Sequence, residues 1–369
     1  MSDVSQSLIQ CALLVSETAA DIARQCRSNT KLLSLLVQEK SGDDANRGRF
    51  AHDFKTLADV LVQRVVAKRI GRQFTELANN VFGEENDKIQ NNCGNDVTIK
   101  IGDSMDETFQ CLLEALDDDM ESARSLAVAA HKKYTLAQLN VKTLPPEKEC
   151  LNLKEIGVWI DPIDSTNEYI VGTACTENEY GICSKGLQCV TINIGMFDKK
   201  TGRPVAGVIN QPFHELLSNG KWSGHCYWAI CSEQYKLNSL PTNIKENTPK
   251  VVLTSSNEEE AVTKILQQSG YTVVTASGAG YKLLCTALGL VSGYVLTKNT
   301  TFLWDTCAAH AMLLSLGGDV CHCVCPASLK SLSYGPKIQS SNQTYCNSRG
   351  IIASHEIEII QRIHTLLNG

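Results

Sequence analysis

Three widely separated stretches of this chain carry acidic residues at spacings that suit oxygen ligation of a hard cation. The sharpest is Trp159-Ile160-Asp161-Pro162-Ile163-Asp164-Ser165-Thr166, where an apolar run meets two carboxylates around a proline. Proline fixes φ and withholds one backbone donor, so the spacing predicts a turn at a strand end that aims both carboxylates and the Ile163 carbonyl into one crevice. Oxygen donors of this kind suit magnesium better than a softer metal. Phe82-Gly83-Glu84-Glu85 places two acids after an apolar stretch, and Trp304-Asp305 places one at the start of a helix. A fourth acid, Asp59, closes Thr56-Leu57-Ala58-Asp59.

Each segment also has a plainer reading. Aspartates around a proline commonly serve turns, Glu84 and Glu85 fit a solvated acidic loop, Asp305 fits an N-cap, and Asp59 fits the reciprocal member of a capping box with Thr56. Taken together, the acids would be costly neighbours, because like charges in one site raise each other's pKa, and bound cations remove that cost. Spacing alone leaves open whether they meet in space. If they do, hydrolysis of a phosphate ester with two or three metal ions is the chemistry they suit.

The elements that must position these residues read clearly in places. Leu8, Ala12, Val15, Ala19, Ile22, Ala23 and Cys26 recur at helical spacing, and a second helix follows with Leu57, Val60, Leu61 and Val65 on its apolar face. Residues 86–150 turn polar, with one helix predicted through Leu112, Leu116, Met120 and Ala123, and read as an insertion. Ile156 to Ile160 reads as a buried strand, and Val190 to Phe197 and Pro204 to Ile209 as hairpin partners. From about Asn243 strand and helix signals alternate up to Val324. A final strand at Gly350 to Ala353 precedes a helix from His355 to Leu367. The division is therefore 1–242, an α+β subdomain with most of the candidate ligands, and 243–369, an α/β subdomain.

With 369 residues, 43% of them hydrophobic, the chain can bury a large core. A net charge of −6 with scattered lysine and arginine excludes nucleic acid and anionic lipid as main partners. The start Met1-Ser2-Asp3 has no secretory layout and no apolar run approaches a membrane span, so a soluble, cytoplasmic protein is expected. The sixteen cysteines are then reduced, mostly as small core residues. The cluster Cys321-His322-Cys323-Val324-Cys325 alternates as a strand does and lacks paired zinc spacing.

Thr56-Leu57-Ala58-Asp59, Gly83-Glu84-Glu85, Asp161-Pro162-Ile163-Asp164-Ser165-Thr166 and Trp304-Asp305-Thr306-Cys307-Ala308-Ala309 resemble, in order, the motifs of the lithium-sensitive inositol monophosphatase superfamily. The run Asp53 to Gln63, serine at 165 where most relatives have glycine, and Gly186-Leu187-Gln188-Cys189-Val190-Thr191-Ile192 are similar to the branch that acts on inositol polyphosphates. The long segment between Glu85 and Asp161 fits that branch too.

The resemblance implies a layered α/β/α/β/α sandwich of the inositol monophosphatase / fructose-1,6-bisphosphatase type. It also implies removal of the 1-phosphate from inositol 1,4-bisphosphate and inositol 1,3,4-trisphosphate by a monomer that needs Mg²⁺ and is inhibited by Li⁺. Carried over residue by residue, Glu84, Asp161 and the Ile163 carbonyl hold one ion. Asp161, Asp164 and Asp305 hold a second, and Glu84 with Glu85 helps hold a third. Thr166 and Asp59 orient or deprotonate the attacking water. Asp164, Ser165, Thr166, Ser256, Gly278, Ala279, Lys282 and Thr300 are the implied substrate contacts. Within Thr254-Ser255-Ser256-Asn257-Glu258 the family has a basic residue where this chain has Glu258, and Lys298 is the other available source of charge. Two neighbouring readings remain: a 3′(2′),5′-bisphosphate nucleotidase or inositol monophosphatase, and a non-catalytic inositol-phosphate-binding protein of the same fold.

Overall fold

A computed structural model describes residues 7–29, 37–39, 54–148, 151–232, 235–242, 244, 248–325, 328–335 and 345–369. Asp53 and the boundary at Asn243 lie outside the described residues. Among the described residues, no helix is long and apolar enough to cross a membrane.

Helix α1 (Leu8–Ser28) starts where the Ser7 hydroxyl accepts from the Gln10 amide, and its apolar face is buried as its periodicity requires. Helix α2 (Leu57–Gln73) opens on a capping box between Thr56 and Asp59 and packs against α1. Both cover one face of a six-stranded sheet. Its strands include β3 (Val81–Gly83), β6 (Ile156–Asp164), β7 (Thr191–Asp198), β8 (Pro204–Leu216), β9 (Trp222–Cys231) and β10 (Lys236–Asn238), in spatial order β10-β9-β8-β7-β6-β3. Short strands β1 (Val37–Glu39) and β2 (Phe54–Thr56) pair separately.

A five-stranded sheet lies beyond, built from β11 (Val251–Thr254), β12 (Thr272–Thr275), β13 (Gly293–Leu296), β14 (Asp319–His322) and β15 (Ile351–Ser354) in the order β12-β11-β13-β15-β14. The region from 86 to 150 contains a hairpin of β4 (Lys88–Gln90) and β5 (Asp96–Thr98), and two helices where the sequence predicts one. These are α3 (Met105–Ala115) and α4 (Met120–His131). Asp117 and Asp118 break the periodic run with φ of 48° and 66°, and the Asp119 side chain then caps α4.

The remaining α-helices among the described residues are α5 (Thr166–Val171), α6 (Glu260–Gln268), α7 (Ala279–Ala287), α8 (Leu303–Leu316) and α9 (Ile357–Asn368). Helices α7 and α8 fill the space between the sheets, and α6 and α9 cover the outer face of the second. The result is the five-layer α/β/α/β/α arrangement implied by the motifs. Helix α8 is apolar on every side, as a helix between two sheets must be. It also lies unusually close to the first sheet: a Cβ at Gly195 would stand 2.5 Å from Cys307 Cβ, and one at Gly207 would stand 2.4 Å from the Ala308 carbonyl oxygen. That approach brings the first turn of α8, with Asp305, to the strand that carries Asp161.

Candidate metal centre

Strand β6 does not stop at the proline. Asp161-Pro162-Ile163-Asp164 continues the strand, with a register shift between Asp161 and Asp164 against β7, so the expected turn is a bulge. The bulge is what points both carboxylates to the same side of the sheet. Pairing sets Asp161 opposite Asn193 and Asp164 opposite Thr191. Asp305 arrives on α8 three residues after Phe302, whose amide donates to Asp305 Oδ2 at 2.7 Å. It occupies the third helical position instead of the cap itself.

Asp161, Asp164 and Asp305 each offer an oxygen, and these oxygens lie within 4.8 Å of one another. Burial, then Glu84, Asp164 and Asp305, push the Asp161 carboxyl well above the usual range. Asp305 rises for the same kind of reason: burial first, then Asp164 and Glu84. Burial also raises Asp164, although the Lys282 ammonium and the Gly280 amide oppose it. Glu84, which follows β3 and donates its amide to the Ile160 carbonyl, is therefore close enough to act on all three. Asp161 Oδ1 is buried and has no hydrogen-bond partner. A buried carboxylate oxygen left bare among other acids is costly unless a cation sits against it, so the donor set fits a hard divalent metal.

Asp59 lies at the start of α2, where Thr56 N–H and Oγ1 donate to its Oδ2 at 2.7 and 2.5 Å. Burial and the Glu85 charge, with a smaller push from Glu84, lift its pKa to about 8 against the Thr56 hydrogen bonds. Glu85 itself faces the buried Lys55 ammonium at 3.4 Å. Thr166, at the first position of α5, donates its hydroxyl to the Ile163 carbonyl at 3.1 Å, while Asp59 is held by Thr56.

The glycine motif Gly278-Ala279-Gly280 opens α7 directly on the acidic cluster. The Gly280 amide donates to Asp164 Oδ2 at 2.7 Å. Gly278 has φ of +75°, and a Cβ there would stand 2.4 Å from Ser165 Oγ and 2.8 Å from Asp164 Oδ2, so glycine is required twice over. Ser165 itself adopts φ of 70°, and its Oγ is buried without a partner. Lys282 is buried. Its Nζ donates to the Ala276 carbonyl at 2.9 Å and sits over the Tyr294 ring, and burial lowers its pKa to about 8 despite the nearby Asp164.

Ser256 is exposed on the loop after β11, and Thr300 is half-buried on the loop before α8. The Glu258 carboxylate joins these two loops by accepting from Thr297 N–H at 2.8 Å and from Thr297 Oγ1 at 2.5 Å, and Lys298 donates to the Asn257 carbonyl.

Four supporting residues escape a reading of the sequence. Gln63 clamps the backbone of Glu85 from both sides, accepting from its amide at 2.9 Å and donating to its carbonyl at 2.5 Å. Lys55 pairs with Glu85, Thr191 reaches Asp164 Oδ2 at 3.5 Å, and Asn193 reaches Asp161 Oδ2 at 3.4 Å.

With the geometry in place, comparison with known proteins is direct. The profile described as the Inositol monophosphatase family matches residues 6–368. The chain is 38% identical over 336 residues to the inositol polyphosphate 1-phosphatase of Mus musculus, covering 87% of this chain and 83% of that protein. It is 38% identical over 339 residues to the enzyme of the same name from Homo sapiens, with 87% and 83% covered. Among solved structures, the extragenic suppressor protein suhB of Bartonella henselae superposes with a TM-score of 0.52 at 13% identity, covering 97% of this chain and 96% of that one. That likeness bears on the fold alone.

Proposed function

The chain belongs to the inositol monophosphatase family, a metal-dependent family, and on that premise we propose that it is a Mg²⁺-dependent phosphatase removing the 1-phosphate of inositol polyphosphates. Inositol 1,4-bisphosphate and inositol 1,3,4-trisphosphate are the substrates in this reading, Li⁺ is an inhibitor, and the protein acts as a cytoplasmic monomer. The observation that carries it is the convergence of Asp161, Asp164 and Asp305 within 4.8 Å around a buried, partnerless Asp161 oxygen. The relatives named above supply the substrate class.

In this reading Asp161, Asp164, Asp305, Glu84 and the Ile163 carbonyl hold the ions, with Glu85 as a weaker contributor. When bound, Mg²⁺ supplies charge neutralisation for the phosphate oxygens and the leaving oxygen and lowers the pKa of water. Burial and the neighbouring Glu85 make Asp59 a stronger base than an ordinary carboxylate, and with the charge of Glu84 and Glu85 offset by cations it sheds its own proton and can accept one from the attacking water. Thr56 fixes its orientation through two hydrogen bonds. Thr166 orients the attacking water from the neighbouring helix start. The amides of Ser165 and Thr166 and those of Gly278 and Ala279 face the phosphate, and Lys282 offsets charge from behind, next to Asp164. Ser256 and Thr300 bear on the inositol hydroxyls.

Phosphate release with Mg²⁺ is to be compared for inositol 1,4-bisphosphate, inositol 1-phosphate and adenosine 3′,5′-bisphosphate, with a lithium titration on the best of them. Fastest release from inositol 1,4-bisphosphate, abolished by Li⁺, is the expected result. Preference for the nucleotide or the monophosphate would move the protein to another branch, and no release from any of them would make it a binding protein.

A further inference from the structure

The side of the site formed by β7 is built in an unexpected way. Asn193 is fully buried, flanked in sequence by the equally buried Ile192 and Ile194. Its Nδ2 donates to Asp161 Oδ2 at 3.4 Å, and its own Oδ1 is buried without a partner. A leucine of similar size would fill that position without bringing a bare acceptor of its own, so asparagine is a destabilising choice for packing alone and its amide is kept for what it holds. The surroundings are nonetheless arranged to accommodate it. A Cβ on Gly280 would stand 2.5 Å from Asn193 Nδ2 and 2.5 Å from Thr191 Oγ1. Only a glycine there lets α7 descend far enough for its amide to reach Asp164 Oδ2.

Three donors, Asn193 Nδ2, Thr191 Oγ1 and Gly280 N–H, thus address the Oδ2 atoms of Asp161 and Asp164, while Asp161 Oδ1 stays without a partner. We infer that Asn193 is a positioning residue for the cation site: its amide holds one oxygen of Asp161 and leaves the other available to a metal. Asn193 acts through Asp161 and touches no reacting atom. The inference rests on the proposed metal-dependent reading of the same cluster and adds a residue to its supporting layer. Supporting partners of this kind fix the direction of a ligand, and their loss weakens metal binding while the ligands themselves survive.

The test is calorimetric titration of Mg²⁺ alone into the full-length wild type, Asn193→Leu and Asn193→Ala, alongside thermal melts of the metal-free proteins. Mg²⁺ affinity should fall about 10–100-fold in both variants. The metal-free melting point of Asn193→Leu should move little, because losing the bare Asn193 acceptor is offset by losing the donor to Asp161 Oδ2. In turnover assays the Mg²⁺ concentration for half-activity should rise with little change in rate at saturating Mg²⁺. A residue that served packing alone would move the melting point and leave the half-activating concentration in place. Affinity within twofold of wild type in either folded variant overturns the inference. So does failure of both variants to fold, which would make Asn193 a folding residue. A wild type that binds no Mg²⁺ would instead overturn the metal-site reading itself.

Discussion

Replacing Asp164 by asparagine should change stability in opposite directions with and without metal. The oxygens of Asp161, Asp164 and Asp305 lie within 4.8 Å. Two ionised carboxylates at that separation repel by about 3–4 kcal/mol at an effective dielectric of about 20. The raised pKa values of all three show that part of this repulsion is avoided by protonation in the metal-free protein. Removing one charge should therefore return about 1–2 kcal/mol, not the full sum over two pairs. Spread over an unfolding entropy of ~2 cal/mol/K per residue in a chain of this length, that gain raises the metal-free melting point by about 1–3 °C. The Gly280 and Thr191 donors still find an oxygen on asparagine, so the local fold survives. Saturating Mg²⁺ at 100 times its Kd should add about 2.7 kcal/mol to the wild type and little to the variant. Turnover should drop by more than the ~10–100-fold expected for loss of a mere supporting partner. Thermal melts with and without Mg²⁺, paired with a phosphate-release assay, read all three quantities. A lower metal-free melting point in Asp164→Asn, or retention of both the Mg²⁺ shift and turnover, would refute the reasoning.

Other consequences follow from the same geometry. Because Asp59 is lifted to about 8, the metal-free fold keeps a proton there that the unfolded chain loses near the ordinary carboxylate value. The associated stability is complete in acid and lost as pH rises to about 8, so the Mg²⁺-induced gain in melting temperature should grow between pH 5 and pH 8. Asp319 behaves oppositely: burial would raise it, but hydrogen bonds from His310 at 2.7 Å, from Ser331 and from the Val320 amide outweigh burial and hold it low. Its contribution is present above the ordinary carboxylate range and lost as pH falls through its lowered value. Asp319→Asn should therefore cost about 1–3 kcal/mol in urea unfolding at pH 7 and much less at pH 3. Gly278→Ala combines a left-handed φ of +75° with a collision at Ser165 and Asp164, whereas Gly220→Ala shares a φ of +76° with nothing nearby. Both should lose about 1 kcal/mol or more from strain, but only Gly278→Ala should lose turnover.

The candidate ligands were legible because their chemistry restricts residue type: hard oxygen donors after apolar strands have few synonyms, and Asp161, Asp164 and Asp305 do converge. The alternation of strands and helices after residue 250 was legible because each element buries a periodic face. What supports the ligands was not. Asn193 and Thr191 read as ordinary alternating positions on a strand, and only the register with β6 and its bulge reveals which acids they face. Gln63 and Lys55 act on Glu85 from more than twenty residues away, and no local pattern encodes that meeting. The break between α3 and α4 was hidden for a different reason: apolar spacing continues across Asp117 and Asp118, while the left-handed backbone that separates the helices leaves no periodic trace. Lys282 entered only through the resemblance, since a lysine two residues after a glycine carries no local sign that the chain buries it beside Asp164.

Diffraction from crystals soaked in Mn²⁺, a stand-in for Mg²⁺ with an anomalous signal, tests the central claim most directly. Anomalous peaks coordinated by Asp161, Asp164 and Asp305, with Glu84 on the adjoining ion, are the expected result. Well-occupied peaks elsewhere with none among these carboxylates would contradict it.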